Sequence, residues 1–151
     1  MGKINWFRQY LVDLQTEFTE INSQRLLIDK SALTKYLEAH QIDNNLLLVG
    51  IMPDFNGKGA TAEEFKLINI TQLMVLKKTT FSEINHEEFL DIFEETYVVI
   101  EKILQHILNQ SLEGCNELRF LNTQSIKIVP VWNLSSCNGW KIMLDFDLFV
   151  I

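Results

Sequence analysis

Trp140-Lys141-Ile142-Met143-Leu144-Asp145-Phe146-Asp147-Leu148-Phe149-Val150 is the stretch that decides the fold. Trp140, Ile142, Leu144, Phe146, Leu148 and Val150 recur with a period of two, which places six apolar side chains on one face of a strand. Lys141, Met143, Asp145 and Asp147 point the other way. One covered and one mostly polar face is the mark of an antiparallel sheet. Upstream, Ile126-Lys127-Ile128-Val129-Pro130-Val131-Trp132 is a second extended, β-branched run, and Asn138-Gly139 between the two is a strong turn dipeptide. Together they predict a C-terminal hairpin. The loop also brings Trp132 and Trp140 together, a pairing more typical of core packing than of a ligand platform.

A long helix precedes this hairpin. Asn85 can accept from the backbone amide near Glu88 while the Glu88 carboxylate reaches back, a capping box. Phe89, Ile92, Phe93, Thr96, Tyr97, Ile100, Ile103, Leu104, Ile107 and Leu108 then form one unbroken stripe, so residues 86–108 are expected to be a helix able to cover a sheet face. Residues 109–116 are its exit, and residues 118–121 are a candidate short strand.

Before the helix, Leu46-Leu47-Leu48-Val49-Gly50-Ile51-Met52 is a continuous apolar run closed by Pro53, which reads as a strand buried on both faces. A second strand is expected from Phe65 to Lys78. The connection, residues 54–63, is rich in turn formers and longer than a tight hairpin needs, so it should project. At the N-terminus, Trp6, Phe7, Tyr10, Leu11, Leu14, Phe18 and Ile21 make one helical stripe, and Ser31 can cap a shorter helix through about His40. The order predicts a single α+β domain over 1–151: two N-terminal helices, then ββαββ, with a mostly antiparallel four-stranded sheet covered on one face by the long helix.

Composition narrows the function classes. The 151 residues are 47% hydrophobic and 22% charged with a net charge of −7, ordinary for a globular chain and poorly suited to a phosphate-binding surface. Lys77-Lys78 is the only adjacent basic pair, so no nucleic-acid partner is expected. Without an eighteen-residue apolar run or a secretory signal pattern, the protein is expected to be soluble and cytoplasmic, or part of a phage-like particle; no membrane partner is expected. Trp6 stands where a myristoylation signal wants Ser or Thr.

Candidate reagents have plain alternatives. His40, His86 and His106 fall at a helix end, a helix start and the flank of the long stripe, with no metal-ligand spacing, and surface or capping roles are expected. Cys115 and Cys137 show no CxxC and are expected to be free thiols. Gly57-Lys58-Gly59 lacks the phosphate-loop frame and reads as a hairpin tip. Glu87, Asp91 and Glu95 align on one helical face and could in principle hold a divalent ion, yet a solvated face near a helix N-terminus accounts for them. Asp145 and Asp147 share a strand face, where solubility or an interface salt bridge is the simpler reading than an acid/base couple. No catalytic residue, cofactor, metal or small-molecule substrate is expected.

The layout of N-terminal helix, long-looped hairpin, single long helix and C-terminal hairpin resembles small prophage-type proteins of the tail-terminator and tail-completion group. The likeness spans residues 46–151 and includes Ile128-Val129-Pro130-Val131-Trp132 and Asn138-Gly139-Trp140-Lys141-Ile142-Met143-Leu144. It implies a non-enzymatic subunit that joins copies of itself into a ring at a tail-tube end and contacts other tail-type proteins. It assigns a role to no individual residue. A cytoplasmic adaptor or regulatory protein-binding module is the alternative reading, and a small hydrolase-type enzyme is the third. The candidate interface is Asp54, Phe55, Asn56, Gly57, Lys58 and Gly59 of the projecting loop. Met143 and Phe149 join it because they interrupt the polar face of a final strand expected near a sheet edge.

Overall fold

The computed structural model describes residues 3–40, 46–114 and 116–149. Its elements run α1 (Lys3–Glu17), β1 (Ile21–Leu27), α2 (Lys30–Ala39), β2 (Leu46–Lys58), β3 (Lys66–Lys78), α3 (His86–Glu113), β4 (Leu121–Leu134) and β5 (Cys137–Phe149). The class is α+β, but the sheet has five strands in the order β1-β2-β3-β5-β4 and is mixed, because β1 pairs parallel to β2. The four-stranded antiparallel expectation is corrected by that one added strand.

β1 was invisible to periodicity. Only its end residues Ile21 and Leu27 are buried, while Asn22-Ser23-Gln24-Arg25 between them are polar, so neither a buried nor an alternating pattern exists to read. The stripe of α1 was expected to continue to Ile21. Instead the helix stops at Glu17, Phe18 N–H still reaches Leu14 O at 2.9 Å, and Ile21 turns into the sheet opposite Leu46. Asn22 ties the junction at both ends: its Oδ1 accepts from Leu46 N–H at 3.2 Å and its carbonyl from Gln15 Nε2 at 3.0 Å.

β2 is the spine. Leu46 and Leu48 face one side of the sheet and Leu47 and Val49 the other, all nearly inaccessible to water. Pro53 does not end this strand. It sits at a register irregularity between Ile51 and Asp54, where a missing N–H costs no ladder bond, and pairing with β3 resumes from Asp54 to Lys58.

One face of the sheet carries α1 and α3 side by side. Phe7, Leu11 and Leu14 of α1 and Val99, Ile100, Ile103 and Ile107 of α3 pack with Leu73, Val75, Ile142, Leu144, Phe146 and Leu148. The long helix therefore shares its face with α1. The opposite face carries α2, whose Leu33 and Leu37 cover Leu27, Leu47, Val49, Met74 and Leu76. The N-cap of α2 is Asp29, two residues before the expected Ser31, with its side chain accepting from Ala32 N–H at 2.8 Å. For α3 the cap is the expected Asn85, accepting from Glu88 N–H at 2.9 Å; the helix runs to Glu113 and ends on Gly114 at φ 69°. Residues 117–120 form a 3-10 turn rather than a strand.

The C-terminal hairpin is present with its turn displaced. Ser135 and Ser136, at φ 48° and 65°, make the two-residue connection, and Asn138-Gly139 lies inside β5. A Cβ on Gly139 would lie 1.9 Å from the Val75 carbonyl oxygen, so glycine serves the close approach of β3 and β5, not a turn. β5 itself is internal, between β3 and β4. The expectation of a terminal strand at a sheet edge, on which Met143 and Phe149 were chosen, is corrected at Met143, which has β3 and β4 on either side; Phe149 pairs with Lys66 of β3 beyond the last β4 pair at Phe146.

Candidate functional site

The sheet narrows toward one end. β1 pairs with β2 only as far as Ile51, and among the described residues no strand lies on the outer side of Asp54–Lys58. Beyond that point the outer edge of β2 is bare, while β5 stays paired with β3 as far as Lys66 and Phe149, so the tip that projects is residues 59–65. Asp54, Phe55, Asn56, Gly57 and Lys58 are exposed and sit opposite Ile70, Asn69, Ile68, Leu67 and Lys66. So half of the segment expected to be loop is strand, and the connection proper is residues 59–65.

That connection is ordered by its own chemistry. Gly59 takes φ 118°, where a Cβ would meet the Glu64 carbonyl oxygen at 2.5 Å, and Glu64 N–H donates to Thr61 O at 3.2 Å. The Phe65 ring lies over Gly57. Phe55 and Phe65 remain 38% and 42% exposed, two large apolar side chains on a projecting element that also carries Glu63 and Glu64.

Of the two remaining candidate residues, Phe149 pairs with Lys66, which also pairs with Lys58, so its backbone lies on the end rung of the tip. Met143 lies six residues back, half-buried, opposite Gln72 and Lys127. The structure therefore brings Asp54–Gly59 and Phe149 to one end and leaves Met143 apart.

The outer edges of the sheet differ in character. β4 carries Pro130, which offers no N–H, and its register with β5 breaks between Asn122 and Lys127 and again between Val131 and Leu134. Ser125 fills the first break, its Oγ donating to Asn122 O at 2.6 Å and accepting from Asp145 N–H at 2.8 Å. Such irregularity blunts an edge against strand addition. β1, at the other edge, borders an open hollow of about 580 Å³ formed with the flank of α1 and lined by Ile4, Asn5, Arg8, Val12, Gln24, Arg25, Leu26 and Met52. Sequence reasoning missed this hollow because its walls come from three separated segments, one of them the unrecognised β1.

The titratable candidates are engaged structurally. His106, expected at a surface, has its Nδ1 2.8 Å from the Tyr10 hydroxyl, joining α3 to α1 beneath Trp6 and Phe18. Burial, with a smaller contribution from Asp13, pushes the Tyr10 phenol far above its ordinary range. The stripe position of Tyr10 was the available signal. His40 closes α2, its N–H donating to Tyr36 and Leu37 carbonyls, and His86 opens α3 in solvent. Lys66 Nζ lies 3.3 Å from Asp147 Oδ2, an ion pair within the chain rather than across an interface. Glu95 meets Lys77 at 2.8 Å, while Glu87 and Asp91 are exposed. Cys137 is a free, buried thiol whose pKa is pushed up to about 11 by burial, partly offset by Lys78. Cys115 lies outside the described residues.

Trp132 and Trp140 do converge, but on α3. Trp140 Nε1 donates to Phe93 O at 2.9 Å, and its ring meets Phe93 and Tyr97 edge-on. Trp132 packs against Phe89 and Phe93 while staying 54% exposed. No helix among the described residues is long and apolar enough to cross a membrane. No family model, curated protein or solved structure matches this chain.

Proposed function

We propose that this protein is a non-enzymatic assembly subunit that associates with copies of itself, in the manner of the tail-terminator and tail-completion proteins its layout resembles. The observation that carries the reading is the β2–β3 tip. It is ordered by Gly59 and the Thr61–Glu64 turn and carries two partly exposed rings, Phe65 at the connection and Phe55 in the stretch of β2 whose outer edge is bare. An ordered element with unburied rings has already met the entropic cost of fixing a loop, which favours binding to a partner surface.

A closed ring demands two different surfaces on each subunit, since head-to-tail contacts repeat until the rotation completes a turn. The tip and the β1 edge are distinct surfaces that follow each other along the outer flank of β2, and a head-to-tail contact needs two such surfaces. In this reading further partners are other proteins of a tail-type particle, and the site of action is the cytoplasm or the particle itself. Light scattering combined with negative-stain imaging tests the reading. Closed rings of the pure protein, or rings formed on a tail-tube end, support it; a monomer at every concentration, alone and with tail-tube proteins, refutes it.

A further inference from the structure

The hollow at the β1 edge and the β2–β3 tip have complementary surfaces. Two of the chain's three arginines, Arg8 and Arg25, border the hollow, and Ile4, Val12, Leu26 and Met52 supply its apolar lining. No carboxylate lines it among the described residues. In a protein of net charge −7 a recess whose charged lining residues are two arginines, set among Asn5, Gln24 and the apolar side chains, is a local reversal of sign, and both arginines are exposed residues. Arg8 rises from α1, whereas Arg25 stacks over the Tyr36 ring at 5.3 Å on the α2 side, so the pair brackets the edge from both faces of the sheet. Ile4 and Val12 are 42% and 38% exposed, matching the unburied rings of the tip.

We propose that the hollow receives the tip of a second copy of this chain. Glu63 and Glu64 approach Arg8 and Arg25, and Phe65 enters the recess between Ile4, Val12, Leu26 and Met52. The outer backbone of β1, which no described strand pairs, lies alongside for the extended residues that flank the tip. A tip and a recess on one chain make the contact heterologous, so each copy offers one and accepts one. The charges set the register: Glu63 and Glu64, ahead of Lys58 and the Asp147-paired Lys66 at the base of the tip, are attracted by the hollow and repelled by the acidic face of α3 around Glu87, Asp91 and Glu94. This inference rests on the self-assembly reading and specifies its interface.

Sedimentation velocity on the full chain tests it, with two charge-reversed variants, Arg8→Glu/Arg25→Glu and Glu63→Arg/Glu64→Arg. All four positions are exposed, and circular dichroism checks that each variant keeps its fold. Each variant alone should dissociate on the order of 100-fold more readily than the wild type, because like charges then face each other. Mixed together they should regain wild-type mass, since the acidic recess of one takes the basic tip of the other. Raising NaCl from about 0.05 to 0.5 M should weaken the wild-type complex, an effect that needs no variant to fold. Variants that keep the wild-type mass, or a mixture that recovers nothing, would overturn the tip-and-recess pairing while leaving self-assembly standing. A wild type that never associates would overturn both.

Discussion

Truncating Phe146 to alanine tests the packing on which every other statement depends. Phe146 is 3% exposed, lies toward the end of β5 between Asn69 of β3 and Leu121 of β4, and meets the Trp6 ring edge-on with centroids 6.0 Å apart. Removing the ring deletes a buried aromatic from the layer where α1 and the sheet meet, at a cost of about 3 to 5 kcal/mol for transfer and cavity together. Loss of the edge-to-face contact is part of that figure, at roughly 0.5 to 1.5 kcal/mol. For a chain of 151 residues the unfolding entropy is about 0.3 kcal/mol per kelvin, so the melting temperature should fall by roughly 10 to 15 °C. Urea unfolding followed by tryptophan fluorescence gives the free energy directly, and the slope with denaturant should not change. A loss below about 1 kcal/mol would refute the placement of β5 beneath α1. Phe93, only half-buried between Trp132 and Trp140, is the internal contrast: alanine there should cost less than at Phe146.

Three further outcomes follow from single features. Gly139→Ala should destabilise by about 3 kcal/mol or more in a urea titration, because the Cβ meets backbone at Val75 and only a separation of β3 from β5 relieves it; a change within about 0.5 kcal/mol would show that the strands are not so close. In a Cys115→Ser background, Cys137 should resist a thiol reagent at pH 8. Its folded pKa is raised, so its contribution to stability is full below the ordinary thiol value of about 9 and is lost as pH rises toward about 11; rapid labelling of the folded protein at pH 8 would contradict the burial. Millimolar Mg²⁺, Mn²⁺, Ca²⁺ or Zn²⁺ should leave the melting temperature unchanged, since Glu87 and Asp91 are exposed and Glu95 is bound to Lys77; a rise of several degrees with one ion alone would assign a site to that face.

The parts of this fold that sequence reveals are those whose pattern is strong and local. β5 alternates cleanly because only one of its faces is covered by helices along its length, and α3 declares its start through Asn85 and its face through the Phe89–Ile107 stripe. What escapes is decided by distant neighbours. β1 reads as polar linker because its strand character comes from pairing with β2 and from the packing of its two end residues. Asn138-Gly139 mimics a turn because glycine is required for two unrelated reasons, and the real turn at Ser135-Ser136 uses residues with little intrinsic preference for positive φ. At the candidate site the tip was legible from its turn formers. Its proposed recess was not, being assembled from residues 4 to 12, 24 to 26 and 52.

Self-association through the tip is the claim on which the functional account rests, and one comparison of masses reads it directly. The wild type is measured by sedimentation velocity over a concentration series beside a variant whose residues 60–63 are removed and joined by a short turn. That excision spares the paired residues Asn56–Lys58, whose loss would damage the ladder as well as the loop, and shortening an exposed connection costs little stability. The account predicts that the wild type grows from its 17.6 kDa monomer into discrete larger species as concentration rises, while the trimmed variant stays near monomer mass with an unchanged melting temperature. A wild type that holds 17.6 kDa throughout, alone and with tail-tube proteins, or a trimmed variant that assembles as readily as the wild type, would contradict it.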